Sequence, residues 1–341
     1  MDDLSKNQIF AIHGVAAAGS VAMATALTYP LDTIKVITQV GSSSGKKLTA
    51  DQVLRRVQSL SGNTGLFSGF GWLAFGRVLG LGARFGVYEI LTAFYKDGRE
   101  DNYVYVSEAL MAGMVAGATE TLVSSPFELI KLRAQVNSAS FVPPGSTLQK
   151  GAGVPLITRL LNGSGKPPSV YHVRRPSDII SLEGWGTFWR GFRSGVARDS
   201  VFGGVFFSSW QFLHRSLLDW KAVGMDPEPR SDEEIGPLSP LAVSLSAGFS
   251  ASIAAAASHS FDTARSRSQC TVIPKYVSME RKLLKWRLPG NRFERTTGIH
   301  PSDRNLLSRG IWLRMARSGF ASFFIVGSYL SAVDHFASNL T

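Results

Sequence analysis

Apolar residues in this chain fall in long blocks rather than in alternation. Six stretches, about 9–31, 71–95, 104–127, 195–218, 238–261 and 311–333, stay apolar or small for most of their length. Roughly 20 such residues are what a helix needs to cross the hydrocarbon of a bilayer. The pattern predicts an all-α membrane protein with six transmembrane helices. The blocks are not uniformly greasy. Arg77 and Arg84 fall in the second, Arg198 in the fourth, and Arg314 and Arg317 in the sixth. Arginine inside a span is costly and usually faces a wet interior, so the helices are expected to surround a central cavity.

Polar residues follow a second pattern. TYPLDTIKVITQV (28–40) recurs as SPFELIKLRAQV (125–136) and HSFDTARSRSQC (259–270). In register these give Pro30/Pro126/Ser260, Asp32/Glu128/Asp262, Lys35/Lys131/Arg265 and Gln39/Gln135/Gln269. Residues three and seven apart share one helix face, so each copy presents an acid, a base and an amide together. The proline should bend its helix, and Ser260 should remove that kink from the third copy. A second motif follows each copy, clearest as EGWGTFWRG (183–191), with echoes in SGNTGLFSG (61–69) and DRNLLSRG (303–310). The chain therefore divides into three units of span, loop and span: 1–98, 99–224 and 225–341. Gly14/Ala18, Gly113/Gly117 and Gly248/Ser252 are small pairs suited to close helix contact.

Composition fits a bundle that is apolar outside and polar within. Charged residues are 18% and hydrophobic ones 44% of the 341. The net charge of +11 would suit a nucleic-acid binder, but the bases are segregated. The loops 35–69, 131–190 and 265–309 carry 24 of the 36 Lys and Arg, while KDGRED and DWKAVGMDPEPRSDEE are mainly acidic. That is the positive-inside bias of a membrane protein, and nucleic acid is not an expected partner. It puts the three basic loops on one side, and the acidic loops with both termini on the other. The lone Cys270 excludes an internal disulfide, and the six histidines show no metal-ligand spacing. No cofactor is implied, and no nucleophile and base stand together as in an enzyme. GSSSGKK (41–47) has the wrong spacing for a phosphate loop. KLLKWRLPGNRFER (282–295) suits either an anionic lipid surface or a solvated loop.

Proline-x-acid-x-x-base followed by acid-Gly-x4-aromatic-base-Gly, three times over with six spans, resembles the mitochondrial carrier family across nearly the whole chain. The resemblance implies six transmembrane helices in three pseudo-symmetric two-helix repeats around a central cavity. It implies a monomer of the mitochondrial inner membrane, with anionic lipids around it and both termini toward the intermembrane space. It further implies a gate on the matrix side, with Lys35 paired to Glu128, Lys131 to Asp262 and Arg265 to Asp32, braced by Gln39, Gln135 and Gln269. A close pair is worth about 4 kcal/mol at an effective dielectric of 20, and desolvation takes much of that back.

Family substrate contacts fall on one level of each even helix. Here those are Gly76 or Arg77, Arg198 with Asp199, and Arg317. Arg198 could take a carboxylate and Asp199 an ammonium, or the two could pair with each other. Gly76 would leave room for a bulky substrate. The second, outer ring of the family is missing, since YEILT, WQFLH and YLSAV keep one acid and no fixed base. The resemblance thus implies transport of a small anionic or zwitterionic metabolite by alternating access. The alternative is a scaffold or receptor that keeps the fold without transporting.

Overall fold

The computed structural model describes residues 6–42, 48–98, 103–140, 175–225, 232–273, 291–297, 299 and 301–338, and every regular element among them is helical. The long elements are α1 (Lys6–Gly41), α3 (Phe70–Lys96), α4 (Val106–Ser138), α6 (Phe192–Val223), the pair α7 (Pro240–Ala257) and α8 (His259–Cys270), and α9 (Ile311–Ser338). Between them lie α2 (Ala50–Ser61) and α5 (Pro176–Glu183). The spans pack in chain order into a closed ring, α9 returning to α1. The Pro/Gly-rich stretch 142–156 and the basic KLLKWRLPG (282–290) lie outside the described residues.

Large apolar side chains point away from this ring. Leu27, Phe75, Ile90, Met111, Leu122 and Phe249 are all exposed, as a surface facing lipid requires. By length and composition α1, α3 and α7 are apolar enough to cross a membrane. The other three carry the acids and bases that six equal hydrophobic blocks would lack, among them Glu120, Glu128 and Lys131 in α4.

Small residues set the closest helix contacts. A Cβ at Gly113 would collide with the carbonyl of Gly203, and one at Gly117 with that of Asp199. A Cβ at Gly248 would lie 3.1 Å from the carbonyl of Gly319. The first predicted pair does not behave this way. Gly14 is exposed, with nothing near its missing Cβ. The buried stripe of α1 is Ala16, Ser20 and Ala24, a register that spacing alone left open.

The third repeat corrects the expectation about its kink. α1 and α4 run on through Pro30 and Pro126, whereas the third odd helix breaks at Ser258 without any proline. The Ser258 hydroxyl donates to the carbonyl of Ala254 at 2.7 Å and accepts from Arg314 Nη2 at 2.7 Å. Back-bonding of this kind bends a helix. The motif glycines Gly69, Gly191 and Gly310 start the even helices with φ of 84°, 77° and 79°, a region glycine enters without strain. At Gly191 a Cβ would lie 2.6 Å from Ser268 Oγ of the next odd helix.

Candidate functional site: a charged ring and the cavity above it

The acid and base of each odd helix lie about one turn apart, and the three odd helices converge there. Lys35 Nζ donates to Asp262 Oδ2 at 2.9 Å, Lys131 pairs with Asp32, and Arg265 Nη2 reaches Glu128 Oε2 at 3.2 Å. The six residues form a ring, but in the opposite sense to the expected one. Each base meets the acid of the preceding repeat, so Lys35–Glu128, Lys131–Asp262 and Arg265–Asp32 are not the pairs. Threefold symmetry admits both senses. The spacing of acid and base along one helix does not choose between them.

Two of the three glutamines brace the ring. Gln39 donates to Asp262 Oδ2 and Thr263 Oγ1, both at 3.1 Å. Gln135 donates to Asp32 Oδ2 at 3.1 Å and Thr33 Oγ1 at 3.0 Å. Gln269 departs from the expectation: its Nε2 is buried without a hydrogen-bond partner. Sequence explains the difference. Asp32 and Asp262 are each followed by threonine, Glu128 by Leu129, and no hydroxyl stands there to accept.

Behind the ring, the odd helices are tied down in three ways. In the first repeat Ile34 and Ile37 pack on Val53, Val57 and Leu66, burial worth about 1.5–3 kcal/mol for each side chain. In the second, buried Glu183 holds Arg133 at 2.5 Å and Arg190 at 2.6 Å. In the third, Arg267 donates to the carbonyls of Gln39 at 3.1 Å and Ser42 at 2.9 Å. His259 is a helix-end histidine whose Nε2 meets the carbonyl of Arg309 at 3.0 Å.

A cavity of about 100 Å³ sits directly above the ring, inside the bundle. Its lining includes Arg77, Arg84, Glu120, Arg198, Asp199, Arg314 and Arg317 together with the ring acids and bases. Of the two first-level candidates, Arg77 lines the cavity and Gly76 does not. A Cβ at Gly76 would lie 2.5 Å from Phe127 Cβ, so that glycine serves the α3–α4 contact and makes no room for a substrate. Arg198 and Asp199 do pair, with Nε to Oδ1 at 2.7 Å and Nη2 to Oδ2 at 2.9 Å. Arg198 also reaches Glu128 at 3.0 Å and Asp262 at 3.3 Å. Asp199 further accepts from Thr121 Oγ1 at 2.6 Å and Arg265 Nη1 at 3.3 Å.

Arg317 Nε lies 3.2 Å from Asp32 Oδ1, yet neither atom has a hydrogen-bond partner. Their charges meet without alignment. Arg314 sits 3.8 Å from Asp262. Each ring acid is therefore shared between a ring base and a cavity arginine: Asp32 with Arg317, Asp262 with Arg314 and Arg198, and Glu128 with Arg198.

Sequence reading missed three parts of this site. Glu120 pairs with Arg84, whose guanidinium lies 5.0 Å from the Phe202 ring centroid. A lone acid in an apolar block was the available signal. Thr121 anchors Asp199. Gly195 lets Arg265 through, since a Cβ there would lie 2.9 Å from the guanidinium. Spacing gives no hint of that role.

The opposite end of the bundle has other chemistry. Tyr88 stacks on Phe207 with centroids 3.6 Å apart, and Phe85 meets Phe207 edge-on at 5.7 Å. His13 Nδ1 lies 2.9 Å from Tyr329 Oη.

A membrane bundle of three helix pairs, ring-closed at one end around a charged cavity, defines a solute carrier. The sequence profile described as mitochondrial carrier protein matches residues 6–99 and 103–220, and the chain belongs to that family. It is a multi-pass protein of the mitochondrial inner membrane. Similar proteins are Mitoferrin of Dictyostelium discoideum, 24% identical over 76% of this chain and 72% of its own length, and Solute carrier family 25 member 48 of Homo sapiens, 26% identical over 76% of each. Mitochondrial ornithine transporter 1 of Saccharomyces cerevisiae is 26% identical over 82% of this chain and 86% of its own length.

Proposed function

We propose that this carrier moves a small anionic or zwitterionic metabolite across the inner membrane by alternating access. In this reading the ring of Asp32, Lys35, Glu128, Lys131, Asp262 and Arg265 is the matrix-side gate, closed in this conformation. Arg77, Arg198, Asp199 and Arg317 hold the substrate, and both termini face the intermembrane space. The relatives do not choose the cargo, since one is named for ornithine and others for different solutes.

One observation carries the proposal: the carboxylates that hold the gate bases also hold the cavity arginines. An anion entering the cavity competes with Asp32 for Arg317 and with Glu128 and Asp262 for Arg198. Each arginine it captures is one link fewer between an even helix and the odd helices of the closed ring, which couples arrival to opening. A ligand shifts a conformational equilibrium only by such differential contacts.

The test is uptake into proteoliposomes. Arg317→Ala leaves Asp32 paired with Lys131 and braced by Gln135, so the bundle should fold. It removes a charge-assisted contact worth about 1.5–3 kcal/mol, and uptake should fall roughly tenfold or more. Arg198→Ala is the poorer probe, because it orphans parts of three carboxylates. Wild-type uptake that Arg317→Ala leaves untouched would remove the cavity from the mechanism. A wild-type protein inert toward carboxylates, phosphates and amino acids alike would favour the scaffold reading.

A further inference from the structure

The charge balance of the cavity narrows its ligand, on the premise that this cavity is the substrate site. Eight cationic side chains line it: Lys35, Lys131, Arg265 and the arginines at 77, 84, 198, 314 and 317. Five carboxylates oppose them: Asp32, Glu120, Glu128, Asp199 and Asp262. Three positive charges remain uncompensated. In an apolar surrounding an excess of that size needs anions to balance it.

The surplus can be placed. Arg84 is matched by Glu120. The other four carboxylates serve six bases between them, namely Lys35, Lys131, Arg198, Arg265, Arg314 and Arg317. Among the described residues Arg77 has no carboxylate within ion-pair distance, although it faces the same cavity. Donors are also left over: Arg314 Nη1 and Arg317 Nε are buried without hydrogen-bond partners. Surplus charge and surplus donors thus converge from α3 and α9.

The acceptors left over are already held by cations: Asp32 Oδ1 and Glu120 Oε2 lack hydrogen-bond partners, but the first lies 3.2 Å from Arg317 and the second is paired with Arg84. Both oxygens of Asp199 already accept hydrogen bonds from Arg198, Oδ2 taking one also from Thr121 and another from Arg265. An ammonium arriving there would have to displace cations held at close range.

We infer that the cavity is built for an anion of two or more negative charges, a di- or tricarboxylate or a phosphate compound, with Arg77 and Arg317 as its principal contacts. A zwitterion is disfavoured, because it brings a positive charge into a site that already has three too many. The recognising chemistry is the planar guanidinium fork, which matches carboxylate and phosphate oxygens alike.

The experiment is a thermal-shift titration of the purified full chain in detergent, at constant ionic strength. The probes are citrate, succinate, inorganic phosphate, acetate, glycine and ornithine. Citrate, succinate or phosphate should stabilise the protein at concentrations at least tenfold below acetate, glycine and ornithine. Arg77→Gln leaves no carboxylate orphaned, so it should fold. It should weaken the effective multivalent anion by roughly ten- to a hundredfold and narrow its advantage over acetate. A general salt effect or a structural role for Arg77 would leave that ratio unchanged and overturn the inference, as would stabilisation by ornithine or glycine at or below the multivalent anions' concentration. Uptake separates the two claims. A dianion that binds but is not carried sinks the transport reading alone. A zwitterion that is carried while no multivalent anion stabilises sinks only this inference.

Discussion

At the closed end of the bundle Asp32 and Asp262 each sit between a base of another repeat and an arginine of the cavity, while at the opposite end Tyr88 stacks on Phe207 and His13 meets Tyr329. The two ends fail differently when a partner is lost. A buried carboxylate that disappears leaves its cations uncompensated, and the penalty is the full cost of unpaired buried charge. An aromatic that is trimmed leaves a smaller apolar contact and no stranded charge. The charged end is therefore close to all-or-none, and it can be opened only by something that replaces its charges. The aromatic end can yield in steps. In the proposed transport cycle this difference gives an order of events, in which the ligand enters past the rings and is then needed to release the ring of charges.

The largest expected effect breaks the charged end. Asp262 holds Lys35 at 2.9 Å, Arg198 at 3.3 Å and Arg314 at 3.8 Å. Asp262→Ala should cost about 3–5 kcal/mol of stability, read as thermal unfolding of the detergent-purified protein. In that background Lys35→Ala should cost less than it does alone, with a coupling of about 0.5–3 kcal/mol. Strictly additive losses would mean that Lys35 and Asp262 are not partners.

Much of the closed end was legible because its signal is repeated. Acid, base and glutamine keep their offsets in three copies, and the motif glycines fall where each even helix must begin. What spacing did not carry is relative: which neighbour a base turns to, and which side of α3 faces inward. Gly76 and Arg77 differ by one position, or about 100° around a helix, so only the packing of Phe127 on Gly76 decides between them. The break at Ser258 has no motif, because serine bends a helix by bonding the carbonyl four residues before it, here that of Ala254. The aromatic end was legible only as an absence. Its aromatic contacts join residues of different repeats, and single-chain periodicity is blind to such pairs.

The next test sharpens the closed end from within. Gln39 and Gln135 each make two buried hydrogen bonds, and Gln269 makes none through its Nε2. One such bond has a carboxylate acceptor, and hydrogen bonds to charged groups contribute about 1.5–3 kcal/mol. Gln39→Ala should thus lower stability by about that amount. Gln269→Ala should change it by well under half as much, since no side-chain donor bond is lost. Equal losses at the two positions would show that Thr263 and Leu129 do not decide the bracing.

The smallest expected effect probes the aromatic end. Tyr88→Leu keeps an apolar side chain against Phe207 and removes the ring stack, whose geometry adds about 0.5–1.5 kcal/mol beyond area burial. Neither Tyr88 nor Phe207 pairs with a charge of the cavity, so no cation is left exposed to the apolar interior and no carboxylate loses a partner. The melting temperature should fall slightly, and the stabilisation by the preferred anion should persist, because the ring and the cavity arginines are untouched. A loss as large as that of Asp262→Ala would mean that the two ends are equally all-or-none. The contrast between a charged lock and a yielding aromatic closure would then not hold.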